Sequence, residues 1–371
     1  MKTGLSLSQL AKELDRRSKA KVDFVAPVSK FAVAVDRNAA KQLVPTIRLA
    51  AAEGVKVFGI NKVAHEQFSD YAGIPMQYYR RMLEQDPQLL VQNVNRWLQD
   101  HKDERRMVRV LDGNVRALLS DKFRALENED LAEAIIPVLQ ERDLVIASCE
   151  VTDQRLYIKA VDRNMEDRIP KGHKFGDGSH VGFDMVSPGV AVSNSEVGRG
   201  SLMIESTIFT HGCTNKAIFG TTLRKFHTGA RAEMSDDVYQ MLSDKTKRLT
   251  DAAVWAQTRD LVAGASHEAK FRATTDMLKA ATEDRLAKKA DVVEVVERVG
   301  RKFGLGDGER KGVLQCLIED GDLSRYGVHS AITRFSQDDS VNYDRATELE
   351  RLGARVIELK KNEWEALAKA A

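Results

Sequence analysis

Long apolar runs are missing from this chain: no window of its 371 residues approaches the roughly 20 apolar residues of a membrane span. The N-terminal stretch MKTGLSLSQLAKELDRRSKAK also lacks the apolar core of a signal peptide, so a cytoplasmic location and no membrane partner are expected. Cysteine is scarce. Cys149, Cys213 and Cys316 are far apart, odd in number and form no C-x-x-C, so neither a disulfide framework nor a cysteine-built zinc site is indicated. Seven prolines and no long polar tract argue against extended disorder, and 43% hydrophobic with 30% charged residues is a globular composition. A G-x-x-x-x-G-K-[ST] phosphate loop is absent, and the glycines Gly304, Gly306 and Gly308 fall between helices with no strand before them. They read as a helix end and turn. Neither a nucleotide-hydrolysing engine nor a cofactor is expected.

A large excess of one charge is lacking too, because the whole chain carries only +2, but its distribution is uneven. Between Arg199 and Arg231 stand Arg199, Lys216, Arg224, Lys225 and Arg231 against the single acid Glu205, a local charge of +4. A β-rich segment with a basic rim attracts a polyanion without regard to base sequence; turns between strands also carry Lys and Arg simply for solubility. The stretch Asp338 to Glu358, by contrast, has six acids against three arginines.

FAVAVD (31–36) and VKVFGI (55–60) have β character, while AHEQFSDYAGI and the segment from Met76 to Leu98 are helical. Gly73 and Pro75, with apolar Ile74, Tyr78, Tyr79 and Met82, mark a helix-turn-helix-shaped corner that reads as a packing unit and not as a DNA reader. RRMVRVL and VRALLS flank Asp112-Gly113, a strong hairpin signal. A helix follows with Asn128 as its expected cap, then a second hairpin, DLVIASCEV and QRLYIKAV. In that last strand alternation sets Leu156, Ile158 and Ala160 on one face and Arg155, Tyr157 and Lys159 on the other. An aromatic between two cations suits a single-strand surface, and equally an ordinary solvent face. Residues 162–181 read as a long loop. In SLMIESTIF, Leu202, Ile204 and Ile208 oppose Met203, Glu205, Thr207 and Phe209, and after Ser235 the pattern is helical.

The fold class expected is therefore α+β: an antiparallel β-hairpin sheet crossed by a helix, followed by a C-terminal helical unit. The expected divisions are an N-terminal α/β segment at 1–102, a β-rich core with a basic surface at 103–234, and a helical unit at 235–371. Within the core, His211, Cys213 and His227 offer a thiol with a histidine base, and Asp184, Glu196, His180 and His211 could surround a metal. Neither set has a diagnostic spacing, so catalysis is the alternative reading and no metal is expected. The Asn194-Ser195-Glu196 and Cys213-Thr214-Asn215 clusters suit turns and bulges.

GIPMQYYRRMLEQDPQLLVQNVNRWL, LLSDKFRALENEDLAEAI, SNSEVG with HGCTN, and YGVHSAITRFSQDDSVNYDRATELERLGARVIEL together span most of the chain. In these stretches it resembles the phage- and plasmid-encoded family catalogued as domain of unknown function nine-three-two. That family usually has Cys-x-Asn-Gly where Lys216 stands here, which argues against a tight turn at that point. More distantly it is similar to the Red-beta and Rad types of single-strand annealing protein. The resemblance implies a single-stranded DNA-binding, annealing or recombination protein of a phage or plasmid, in the host cytoplasm, acting as a homo-oligomer with host or phage recombination proteins as possible partners. It assigns phosphate contacts to Arg105, Arg109, Arg116, Lys122, Arg124, Arg155, Lys159, Arg199, Lys216, Arg224, Lys225 and Arg231, and base stacking to Tyr157 with Phe219 or Phe226. The alternatives are a nucleic-acid-processing enzyme built on the His/Cys/acid cluster and a non-catalytic phage structural factor.

Overall fold

Among the described residues two six-stranded sheets organise the fold, and helices cover them unequally. The computed structural model describes residues 4–51, 54–124, 126–174, 180–211, 216–225, 244–265, 267–286 and 292–368. The first sheet has the order β1 (Val22–Pro27), β5 (Arg105–Leu111), β6 (Asn114–Ser120), β4 (Gly54–Ile60), β3 (Leu43–Ala51), β2 (Phe31–Arg37). All its neighbours are antiparallel except β4 and β6. Asp112 (φ 51°) and Gly113 (φ 73°) turn the β5–β6 hairpin as the Asp-Gly signal requires. This sheet runs through Ser120, so the expected boundary at 102 cuts across it: β5 and β6 belong with the N-terminal strands.

One face of the first sheet is closed by α2 (Lys62–Tyr71), α3 (Met76–Gln85) and α4 (Pro87–Leu98). Phe68, Tyr79, Met82, Leu90 and Val94 pack there on Val33, Ile47, Val108 and Val110. The expected single helix from Met76 to Leu98 is broken at Asp86, whose side chain caps α4 by accepting from Leu89 N, with Pro87 as the first helical residue. Val55 and Val57 stay 65% and 52% exposed. The corresponding part of the other face has no cover among the described residues.

The second sheet has the order β12 (Lys216–Lys225), β11 (Leu202–Thr210), β10 (His180–Asn194), β8 (Leu156–Val161), β7 (Val145–Val151), and β9 (Asp167–Lys174) also pairs with β10. Much of the stretch expected to be a loop is thus an antiparallel arm, pinned by wholly buried Ile169. The mixed polar sequence concealed it. On one face Leu156, Ile158, Ala160, Val190, Val192, Leu202 and Ile204 meet α1 (Leu7–Ala20), α5 (Asn128–Glu141) and α6 (Asp244–Ala263).

The C-terminal helices are α7 (Glu268–Glu283), α8 (Val292–Phe303), α9 (Asp307–Asp320), α10 (Arg325–Phe335), α11 (Tyr343–Ile357) and α12 (Lys361–Ala368). They have a core of their own around Val299, Leu317, Ile332 and Leu349, but they are not a separate appendage. Ala354 and Ile357 of α11 pack with Ile208, Ala217 and Phe219 of the sheet. Ahead of them, α11 lies against the second face of β8. No helix among the described residues is long and apolar enough to cross a membrane.

The polar contacts of α11 are matched to the sheet register. Lys159, Ala191 and Glu205 form one row across β8, β10 and β11, and α11 presents Glu350 and Arg351 to it. Lys159 Nζ donates to Glu350 Oε2 at 2.5 Å and to Thr347 Oγ1 at 3.0 Å, while Arg351 donates to both Glu205 oxygens at 2.9 and 2.6 Å. Tyr157 OH donates to Asp344 at 2.8 Å. Burial pulls Lys159 below the usual lysine range and Glu350 opposes it; neighbouring Lys216 is likewise pulled down by burial, to about 8. Removing the carboxylate therefore leaves two buried lysines without their counter-charge. Glu350→Met is expected to cost about 3–5 kcal/mol, and adding Lys159→Met is expected to recover most of it. Urea unfolding of both variants checks this; a single variant within about 1 kcal/mol of the parent would contradict it.

Candidate functional site

Most cations expected on a nucleic-acid surface are engaged inside the protein. Tyr157 and Lys159 are 3% and 2% exposed beneath α11, so the anticipated face of β8 offers no stacking platform. Alternation identified the face, but not its cover. Arg155 donates through Nε and Nη2 to the Arg199 carbonyl at 3.1 and 2.7 Å. Gly200 (φ 151°) makes that fit possible, because a Cβ there would stand 1.4 Å from the guanidinium. Arg199 itself pairs with Glu66 at 2.6 Å.

A second cluster joins the two sheets. Arg109, with no exposed surface, pairs with Asp23 and Glu127 at 2.8 and 2.7 Å and donates to the Glu196 carbonyl at 2.9 Å. Arg116 pairs with Glu196 at 2.7 Å. Glu196 also accepts from Asn128 N at 2.7 Å, so α5 is capped from another element and not by its expected Asn128 side chain. Asn194 Nδ2 ties in the Leu126 carbonyl and Asn128 Oδ1, and Ser195 Oγ accepts from Arg199 N. The Asn194-Ser195-Glu196 cluster is therefore part of the frame.

The remaining positions are dispersed. Lys216 is 2% exposed with Nζ 5.8 Å from the Phe209 ring centroid, and Arg124 pairs with Asp251. Arg105, Lys122 and Arg224 are exposed, Arg224 donating to Ser201 Oγ at 3.3 Å. Phe219 is buried against His329, with ring centroids 6.2 Å apart. The Lys225 side chain, Phe226 and Arg231 lie outside the described residues.

Cys213 and His227 also lie outside the described residues, but His211 does not. Its Nε2 is 2.8 Å from Ser187 Oγ and its Nδ1 is 3.5 Å from Glu166, an order of groups that resembles an acid–histidine–serine relay. A nucleophile must meet its substrate, and Ser187 has no exposed surface. The contact anchors His211 to β10. The described members of the anticipated metal set do not converge: Asp184 accepts from Tyr326 OH at 2.8 Å and from Lys171, and Glu196 serves Arg116. The His180 side chain lies outside the described residues. Glu127, Glu129 and Glu196 bring oxygens within 4.8 Å of one another, but Lys21, Arg109 and Arg116 already neutralise that group.

Exposed aromatics stand elsewhere, at the Gly73–Pro75 corner. Ala72, Gly73, Ile74, Pro75, Asn93, Tyr78 and Trp97 line an open groove of about 420 Å³ between α3 and the end of α4. Ile74, Tyr79 and Met82 are buried as the corner's packing requires, but Tyr78 and Trp97 are 46% and 44% exposed. Arg96 stands over Trp97, 5.7 Å from its ring centroid, and Arg80 and Arg81 are exposed on α3. Helical spacing carries the only sequence signal: Tyr78 and Arg81 are three apart, as are Asn93 and Arg96, with Trp97 next.

No family model, curated protein or solved structure matches the chain.

Burial at the sheet junction acts on the Glu127 carboxyl. Burial pushes Glu127 up to about 6, against the opposing charge of Arg109 and with the adjacent Glu196 adding to the rise. A carboxyl whose folded-state value is raised destabilises the native state above that value and is relieved as pH falls toward the unfolded value. Glu127→Gln takes a counter-charge from buried Arg109, and it is expected to be tolerated better at pH 7.5 than at pH 5. Urea midpoints at both pH values test this; equal destabilisation at both would contradict it.

Proposed function

We propose that the protein binds single-stranded nucleic acid, with bases stacking at the Tyr78/Trp97 groove. The observation that supports this reading most directly is the pair of half-exposed aromatics lining one groove with Arg96 beside it. Stacking on aromatic faces with cations tracking the backbone is the usual chemistry of single-strand binding, and it tolerates any base. The ion pairs of Arg80 with Glu66 (3.7 Å) and Arg96 with Asp100 (2.9 Å) are partly exposed, so exchanging them for phosphates costs little. The basic, exposed Arg105, Lys122 and Arg224 extend the same reading.

Within this reading the protein holds an extended strand for pairing and makes or breaks no covalent bond. Annealing or recombination in a phage or plasmid, assembly as a homo-oligomer and recruitment of recombination proteins belong to the same proposal and rest on the resemblance read from the sequence alone. The covered face of β8 turns attention from the second sheet to the α3–α4 surface.

Fluorescence anisotropy of labelled oligonucleotides tests it in the parent and both variants, and quenching of Trp97 by a stacked base reports the contact in the parent. Trp97→Ala and Tyr78→Ala are each expected to weaken single-strand affinity by about 5- to 150-fold, at about 1–3 kcal/mol per stacked base. The slope of log affinity against log salt should be about −0.7 per phosphate contacted. Absence of binding at low salt, or parental affinity in both variants, would overturn the proposal.

A further inference from the structure

The lining of the Tyr78/Trp97 groove includes one side-chain amide, that of Asn93 on α4. Its Nδ2 donates to the Leu89 carbonyl, one turn back on the same helix, at 2.9 Å and to Met82 Sδ of α3 at 3.6 Å. A carbonyl oxygen only accepts, so the amide nitrogen must face Leu89, and the neighbours fix which way the side chain is turned. Both of its N–H groups are engaged inside the protein.

Oδ1 is left as the polar atom that Asn93 offers. Among the described residues no donor reaches it, and it is not enclosed, because Asn93 is half-buried and contributes none of the buried side-chain atoms that lack a partner. Ala72, Gly73, Ile74 and Pro75 supply an apolar surface around it, and Tyr78 and Trp97 supply two half-exposed rings. A flat ring entering the groove therefore meets aromatic faces and, from Asn93, an acceptor with no donor beside it.

We infer that Asn93 makes this groove prefer bases that carry an exocyclic amino group, cytosine, adenine and guanine, over thymine and uracil. The inference rests on the single-strand reading above and names which bases that site favours. An amino group donates to Oδ1 directly, whereas the pairing edge of thymine or uracil sets its one N–H between two carbonyl oxygens, which Oδ1 would meet lone pair to lone pair. The two-pronged pairing of asparagine with adenine also needs the amide N–H, and Asn93 has both of its N–H groups held elsewhere. Selection is therefore by the amino group and not by adenine as such. One neutral hydrogen bond corresponds to about 2- to 12-fold in affinity.

The test uses the full chain at low salt and above neutral pH, with anisotropy of labelled oligonucleotides of equal length. One is oligo-dC, one is oligo-dT, and the third is an oligo-dC whose amino groups each carry two methyls, so that the cytosine ring stays and its donors are gone. Pyrimidines are compared because their stacking areas are alike. The parent is expected to bind oligo-dC about 2- to 12-fold more tightly than either of the others. Asn93→Ala, a good helix former at a half-buried position, is expected to bind all three with the parent's oligo-dT affinity. Each protein supplies its own ratio, so partial unfolding of a variant lowers all three affinities and leaves the ratio unmoved. Equal binding of oligo-dC and oligo-dT by the parent, or a preference that survives Asn93→Ala, would overturn the inference. If Trp97→Ala weakens every oligonucleotide while the parent shows no preference, the groove stands and the role of Asn93 falls. No binding by the parent, or full parental affinity in both Trp97→Ala and Tyr78→Ala, overturns the groove and this inference together.

Discussion

The buried contact between Lys159 on β8 and Glu350 on α11 determines what the second sheet can do. Two charges taken out of water persist only when paired, and here the pairing is repeated one residue along, where Glu205 of the sheet meets Arg351 of the helix. The opposite order of charge on sheet and helix fixes the position of α11 along the strands. With Tyr157 bound to Asp344 and Tyr343 within 2.5 Å of Ser148, β8 is buried on both faces. A strand placed this way is scaffold. Under the proposed function, recognition uses surfaces that α11 leaves open.

Much of this was legible in the residues, but only up to the question of what covers what. The Asp112-Gly113 turn, the alternation in Leu156–Val161 and Leu202–Phe209, and the helix ending at Gly304 are local properties, and local chemistry determines them. The pattern separated Leu156, Ile158 and Ala160 from Tyr157 and Lys159, yet both sets are buried; alternation assigns faces and says nothing of a helix some 190 residues away. The acidic stretch around Asp344 to Glu350 was visible as charge, and its partner on β8 was not. The 162–181 segment failed differently. Its polar residues concealed an arm held by Ile169, and one buried side chain leaves almost no periodic signal. Tyr78 was read with Tyr79 as packing, although adjacent positions on a helix point about 100° apart, and here one is buried and the other exposed.

The open features gather around α2. Its entrance residue Asn61 lines a cleft beside Arg116, and Ala72, immediately after its last turn, lines the Tyr78/Trp97 groove. Ten helical residues rise about 15 Å, so a rigid element sets the spacing between the cleft and the groove. Behind α2, the junction of the two sheets is held by Val63, Ala117, Leu119 and Val197 and by the Arg109/Arg116 cluster. The same packing that joins the sheets therefore lies behind both the cleft and the groove.

Hydrogen–deuterium exchange with and without a saturating single-stranded oligonucleotide tests the central claim most directly, because it asks which surface the strand covers. The account predicts added protection at residues 74–98 and unchanged, already slow exchange at 156–161. New protection confined to 156–161, with none at 74–98, would show that α11 yields its place to the strand and would contradict it.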